Sequence, residues 1–246
     1  MSGSDFFARN AEGYAKSSSH AKGRDLEMLL ESVAAKGGEV SVDIATGTGF
    51  TAMALSGQTA RVIAVDPTVE MIRQARKLSD EKGKTNIEFV LGEAEAIPLS
   101  DAIADIVTCR RAAHHFSDKS LFLGEVHRIL RNGGKLGLAD MVSPDGFADE
   151  LNALEKARDS THKIAEETGE WRSKLVEHGF GEIHVEVDEE RLTFEKWIYP
   201  VSSTGKEADD CRNLLLGASR DFATAIGLGN DLSFMKRRMV IVGRKE

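Results

Sequence analysis

The chain has 246 residues, 41% of them hydrophobic and 29% charged, with a formal net charge of −8 and an isoelectric point near 5.5. That make-up suits a globular protein with a core of its own and argues against nucleic acid as the main partner, since such binders show a basic surface and only Arg110-Arg111 and Lys236-Arg237-Arg238 are locally basic. The two cysteines, Cys109 and Cys211, have no metal-like spacing, and no apolar run reaches the length of a membrane span or a signal core, so no disulfide framework, zinc site, metal or membrane span is expected and a reduced cytoplasm is.

Met1 to Lys22 is polar, carries Phe6, Phe7, Tyr14 and His20, and has no strong period; it reads either as a frayed tail or as a lid over a site. Leu26, Leu29, Leu30 and Val33 recur at helical spacing, with Gly37-Gly38 as the stop. Val40 to Ala45 is predicted as the first strand, and Thr51 to Ser56 opens the next helix. Arg61 to Val65 is a short β-branched run, a second buried strand ended by Asp66-Pro67. Ile72, Ala75 and Leu78 mark a helix face closed by Gly83. Ile87 to Leu91 and Ile103 to Cys109 are the third and fourth strands. Asp118 suits the N-cap of a helix carrying Leu121, Leu123, Val126, Ile129 and Leu130; Asn132-Gly133-Gly134 ends it, and Lys135 to Val142 is the fifth strand.

This alternation implies crossover connections and a mostly parallel sheet, with ligands beyond the carboxyl ends of the strands. After Val142 the rhythm changes. Phe147, Leu151 and Leu154 suggest one helix, and Trp171, Leu175 and Val176 another, closed by Gly179. Ile183 to Val187 alternates as a strand, and Met239 to Val242 is the last one; these two are expected to pair antiparallel at the sheet edge, with residues 193–232 inserted between them.

Within Val42 to Ala52 an apolar run ends in Asp43, passes Gly47 and Gly49, and opens into helix formers. A strand, a tight turn and a helix start bring backbone N–H groups against a ligand. Gly47-x-Gly49-x-x-Ala52 also satisfies the loose dinucleotide fingerprint. Asp43, however, would repel a pyrophosphate and suits an amino group. Asp66, at the end of the second strand, can accept both hydroxyls of a ribose, which fits NAD equally well. Together the two acids suggest an adenosyl ligand with an ammonium group and no phosphate, a description that S-adenosylmethionine meets.

The turn Val42 to Gly49, Ala64-Val65-Asp66, Gly92 to Leu99, Asp105 to Arg110, Ala113 to Phe116 and Glu125 to Gly134 resemble, in order, the class I S-adenosylmethionine-dependent methyltransferases, in particular the branch (methyltransferase type 11) that includes the ubiquinone/menaquinone-biosynthesis enzymes. The resemblance covers roughly residues 8 to 185. It implies an α/β fold: a Rossmann-like seven-stranded mostly parallel sheet with an antiparallel last strand and helices on both faces. The expected organisation is a single domain over 1–246, with a lid at 1–22 and helical inserts at 143–180 and 193–232 shaping the acceptor pocket. Asp43 with the backbone at Ala45, Gly47 and Gly49 would hold the methionine part of the cofactor, Asp66 the ribose, and Pro67 and Met71 the adenine pocket. Glu93 and Ala94, after Gly92, would read the adenine edge. Arg110 would stand by the cofactor carboxylate or the pocket floor, and Tyr14, Lys22 and Gly23 match positions of an N-terminal segment folded over the cofactor. Thr46 replaces the cysteine or glycine of many relatives, with no consequence expected.

Methyl transfer is an in-line displacement on a good leaving group, so alignment and exclusion of water do much of the catalysis, and a base is needed only if the acceptor must lose a proton. His114 and His115, past the fourth strand, are the candidate bases. The bland alternatives are packing under the loop and exposure to water. Arg111 is expected to pair with the protein's own acids, Glu95 to lie on the surface, Cys109 to be a buried strand residue, and Trp171 and Trp197 to anchor cores. The acceptor is expected to be a small molecule. Pairing of two chains through the inserts is compatible with this reading. The rivals are an NAD(P)-dependent oxidoreductase and a non-catalytic protein that binds S-adenosylmethionine.

Overall fold

Short β-branched runs buried on both faces form the centre of the molecule. In the computed structural model, β1 (Val40–Ile44), β2 (Arg61–Asp66), β3 (Ile87–Leu91), β4 (Ala104–Arg110), β5 (Leu130–Met141), β6 (Phe180–Leu192) and β7 (Phe234–Lys245) make one sheet in the order β3-β2-β1-β4-β5-β7-β6. The first five strands pair in parallel, and β7 runs antiparallel between β5 and β6. Residues 3–16, 18–199 and 203–246 are described; residues 1, 2, 17 and 200–202, parts of the expected lid and second insert, lie outside them.

Successive side chains of a strand face opposite ways. Val42, Ile44, Ile63 and Val65 accordingly join a core with Phe122, Val126, Trp171 and Leu175, from α6 (Lys119–Ile129) and α8 (Thr168–Glu177). Their neighbours Val62 and Ala64 join Leu29, Val33 and Leu55, from α3 (Arg24–Val33) and α4 (Phe50–Leu55). A third core lies beyond the carboxyl end of β5. There Leu154 of α7 (Ala148–Arg158), Trp197 of α9 (Phe194–Ile198), Leu215 of α10 (Lys206–Leu216) and Phe222 of α11 (Arg220–Ala225) close on Met141 and Phe234. Among the described residues, no helix is long and apolar enough to cross a membrane.

Four local expectations change. The N-terminal segment is helical, α1 (Gly3–Ala15) and α2 (Ser18–Lys22), and α1 packs along α5 (Val69–Glu81). α3 ends before Gly37, because Ala34 closes it at φ +47° with its N–H on the Leu30 carbonyl. Asn132-Gly133-Gly134 does not end a helix. Leu130 already pairs with Ala104, and the glycines sit where β5 loses register against β4 before Lys135 pairs with Ile106. β6 runs well past the expected Ile183 to Val187; ion pairs Glu189–Arg237 at 2.7 Å and Glu190–Arg238 at 3.1 Å lie on its polar extension.

The chain goes from β1 outward to β2 and β3, then returns across β1 to β4. The carboxyl ends of β1 and β4 therefore flank the switch point, where such sheets hold ligands.

Candidate active site

Two cavities open at that edge. The larger, about 460 Å³, reaches from the β1 turn past the end of β2 to the loop after β4. Asp43, Gly47, Asp66, Pro67, Met71 and Ala94 line it, and so do Ala45, Glu93 and Arg110.

The turn that starts it is shaped by backbone. Ala45 takes φ +53° and Gly47 φ +55° as the chain leaves β1, while the Thr46 N–H donates to the Val65 carbonyl at 2.9 Å. A left-handed alanine costs about 1–2 kcal/mol, held here by the β2 bond. Asp43 is fully buried below the turn. It accepts from the Thr46 hydroxyl at 2.6 Å and the Thr108 hydroxyl at 2.8 Å, so Thr46 has a consequence after all. Burial pushes the Asp43 carboxyl up to about 6, against the pull of the two hydroxyls. Asp66 accepts the Gly47 N–H at 2.8 Å and the Thr68 N–H at 2.9 Å; burial raises its pKa too. One carboxylate thus ties the glycine turn to the end of β2.

Gly49 and Gly92 do not line the cavity. A Cβ on Gly49, the residue before α4, would stand 3.1 Å from the Ala75 Cβ, and one on Gly92 would stand 2.4 Å from the Pro98 ring. Both glycines serve close packing around the site. Lys22 is exposed and Gly23 precedes α3; neither reaches the cavity, whereas Tyr14 and Phe7 do. Glu95 is half-buried rather than on the open surface, and accepts the Ser117 N–H at 3.0 Å. Arg110 gives its guanidinium to Asp25 (2.8 and 3.1 Å) and to the His20 carbonyl (2.9 Å). Arg111, as expected, pairs with an acid of the protein, again Asp25, by two bonds of 2.7 Å. Burial would raise the Asp25 pKa, but the two arginines outweigh it and hold the carboxyl far below the usual range.

The smaller cavity, about 150 Å³, adjoins the first; Phe7, Tyr14, His20, Arg111 and His115 border both. Burial raises the Tyr14 phenol to about 12, so it stays protonated. His114 and His115 stand in a short 3-10 turn, Ala113–His115, and their surroundings differ. His114 Nδ1 lies 2.6 Å from Asp140 Oδ1, and the His114 backbone N–H donates to Asp140 Oδ2 at 3.0 Å. Asp140, fully buried at the end of β5, also accepts the Met141 N–H. Burial opposes its ionisation, but His114 outweighs that and lowers its pKa. The His115 ring has the Thr161 hydroxyl at 3.1 Å, and burial next to His114 drives it down to about 3. Asp140 was missed in the sequence, though its place at a strand's carboxyl end was a signal.

A family described as "Methyltransferase domain" matches residues 42–138. The chain is 34% identical over 194 residues to "Uncharacterized methyltransferase YcgJ" of Bacillus subtilis, covering 78% of this chain and 77% of that one. The YcgJ crystal structure superposes with a TM-score of 0.87 over 92% of this chain and 99% of its own, at 27% identity. A ubiquinone/menaquinone biosynthesis C-methyltransferase of Rubrivivax gelatinosus is 31% identical over 116 residues, 47% of this chain and 45% of that one. With more than three quarters of two chains aligned at 34% identity and the fold shared, this chain belongs to the class I S-adenosylmethionine-dependent methyltransferases.

Proposed function

We propose that the larger cavity holds S-adenosylmethionine, that the smaller one holds a small-molecule methyl acceptor, and that His114 is the general base when the acceptor must lose a proton. The observation that carries this is the junction of the two cavities, with Asp43 and Asp66 in one and the His114–Asp140 pair bordering the other.

The residues present fit the cofactor. The volume is within the ordinary range for such ligands. The two acids match an ammonium group and a ribose diol, and the two arginines that line the cavity, Arg110 and Arg111, are already spent on Asp25, which leaves little to hold a pyrophosphate. Bound there, S-adenosylmethionine supplies an electrophilic methyl on a sulfonium leaving group. Asp43 would hold the amino group and Asp66 the ribose, with Pro67, Met71, Glu93 and Ala94 around the adenine. Phe7 and Tyr14 would close the junction and keep water from it, which makes α1 a lid.

Asp140 supports the base role by fixing a tautomer. An ionised carboxylate only accepts, so a neutral His114 carries its proton on Nδ1 and keeps the lone pair on Nε2. His115 holds a proton too weakly to serve near neutrality. A cytoplasmic setting is supported by two buried, unpaired thiols, Cys109 and Cys211.

Isothermal titration with S-adenosylhomocysteine tests the cofactor assignment: micromolar binding is expected, and no binding at millimolar concentration to folded protein would sink it.

A further inference from the structure

The smaller cavity gathers positive charge that an acidic chain has little reason to concentrate. Arg111, Arg158, Lys196, Lys236 and Arg238 border it, from the loop after β4, the end of α7, α9 and β7. The acids that answer them are shared. Asp25 serves both Arg110 and Arg111; Glu155 serves both Arg158 (2.8 Å) and Lys236 (3.0 Å). Asp25 and Glu155 are buried, so each group is two cations on one carboxylate, an excess of one charge away from bulk water. Arg238 has Glu190 at 3.1 Å, and Lys196, exposed on α9, forms no ion pair among the described residues.

Two carboxylates in the wall, Asp140 and Asp159, offset part of this excess. Asp140 faces His114, and Asp159 accepts the Thr161 N–H at 2.8 Å and hydroxyl at 2.6 Å. Even so, Arg110, Arg111, Arg158, Lys196, Lys236 and Arg238 outnumber Asp25, Asp140, Glu155, Asp159 and Glu190 by one, and excess charge in a largely desolvated site is costly, which makes the cavity a ready seat for an anion. The strain is visible at Lys236, whose ammonium burial brings down to about 8, with Arg158 and Arg238 adding to that against the pull of Glu155.

The positions also separate. Arg158, Lys196, Lys236 and Arg238 border the smaller cavity and not the larger, whereas Phe7, Tyr14 and His115 border both. We propose that the methyl acceptor carries an anionic group, a carboxylate or a phosphate, seated among Arg158, Lys196, Lys236 and Arg238, with its reactive end toward the wall of Phe7, Tyr14 and His115. This rests on the smaller cavity being the acceptor site.

The test is titration of inorganic phosphate, benzoate and benzyl alcohol into the wild-type chain, with and without saturating S-adenosylhomocysteine. At least one anion is expected to bind, and benzyl alcohol about tenfold or more weakly. Phosphate alone indicates a phosphate ester as acceptor, and benzoate alone a carboxylic acid. K196M and R238Q, neither of which touches the larger cavity, should each weaken the anion about tenfold and leave S-adenosylhomocysteine affinity unchanged. The proposal is overturned if neither anion binds, if benzyl alcohol binds as tightly as benzoate, or if both variants keep full anion affinity. Should S-adenosylhomocysteine itself fail to bind, the cofactor assignment falls, and the anion titrations on unloaded protein still decide this one.

Discussion

Asp43 is held against its own preference. A carboxyl whose pKa rises from its usual 3.8 to about 6 on folding takes up protons relative to the unfolded chain between those two values. Stability from this group is therefore present below about pH 4 and is lost as pH rises toward 6. D43N keeps an acceptor for Thr46 or Thr108 and removes the charge. It is expected to gain roughly 1–3 kcal/mol in ligand-free stability at pH 7, seen as a higher denaturation midpoint, and to bind S-adenosylhomocysteine more weakly. Wild-type affinity should rise with pH through about 6, and that step should be missing in the variant. D66A should lose about a hundredfold in S-adenosylhomocysteine affinity, as two charged hydrogen bonds vanish. D140N should lower kcat by about a hundredfold or more without changing that affinity, because it frees the His114 tautomer; unchanged turnover would remove the base role. Asp43, Asp66 and the turn were legible because their spacing is local. Asp140, Asp25 and Glu155 were not: their partners lie 26, 85 and 42 residues away in sequence, as His114, Arg110 and Trp197.

At the level of elements, the central strands could be read because both faces are buried and their residues are β-branched. α1 was harder to read, because Phe7, Ala11 and Tyr14 make only a short stripe among polar residues and the helix packs along α5, a distant partner in sequence. If α1 is a lid, saturating S-adenosylhomocysteine should slow proteolytic cleavage between residues 3 and 16 several-fold while the sheet stays protected in both states. The polar extension of β6 was hidden for a related reason: Asp188 to Arg191 are four charged residues in a row with no apolar alternation, and the facing arginines of β7 identify a strand. Within the insert, Glu155 accepts the Trp197 indole N–H at 3.0 Å as well as both cations. E155A is therefore expected to cost about 3–5 kcal/mol in urea unfolding, since it leaves two buried charges unanswered.

Over the whole molecule, the two cores of the sheet and the core of the insert meet around Met141, where β5 passes from one to the other. A ligand that binds the folded chain and not the unfolded one stabilises it by mass action. S-adenosylhomocysteine at a hundred times its Kd should add about 2.7 kcal/mol, which for a chain of this length raises the melting temperature by roughly 5–10 °C.

The two thiols turn this division into a pair of clocks. Cys109 sits in β4 among Val107 and Leu138, and Cys211 in α10 among Trp197 and Leu215. Burial raises both pKa values, Cys211 to about 11, so neither reacts with an alkylating reagent until its own surroundings open. Cys211 should label at the rate at which the insert loosens, and Cys109 only when the sheet unfolds. An occupant of the smaller cavity should retard the first, so mass spectra of a labelling time course report which part of the enzyme a compound grips before any product has been found.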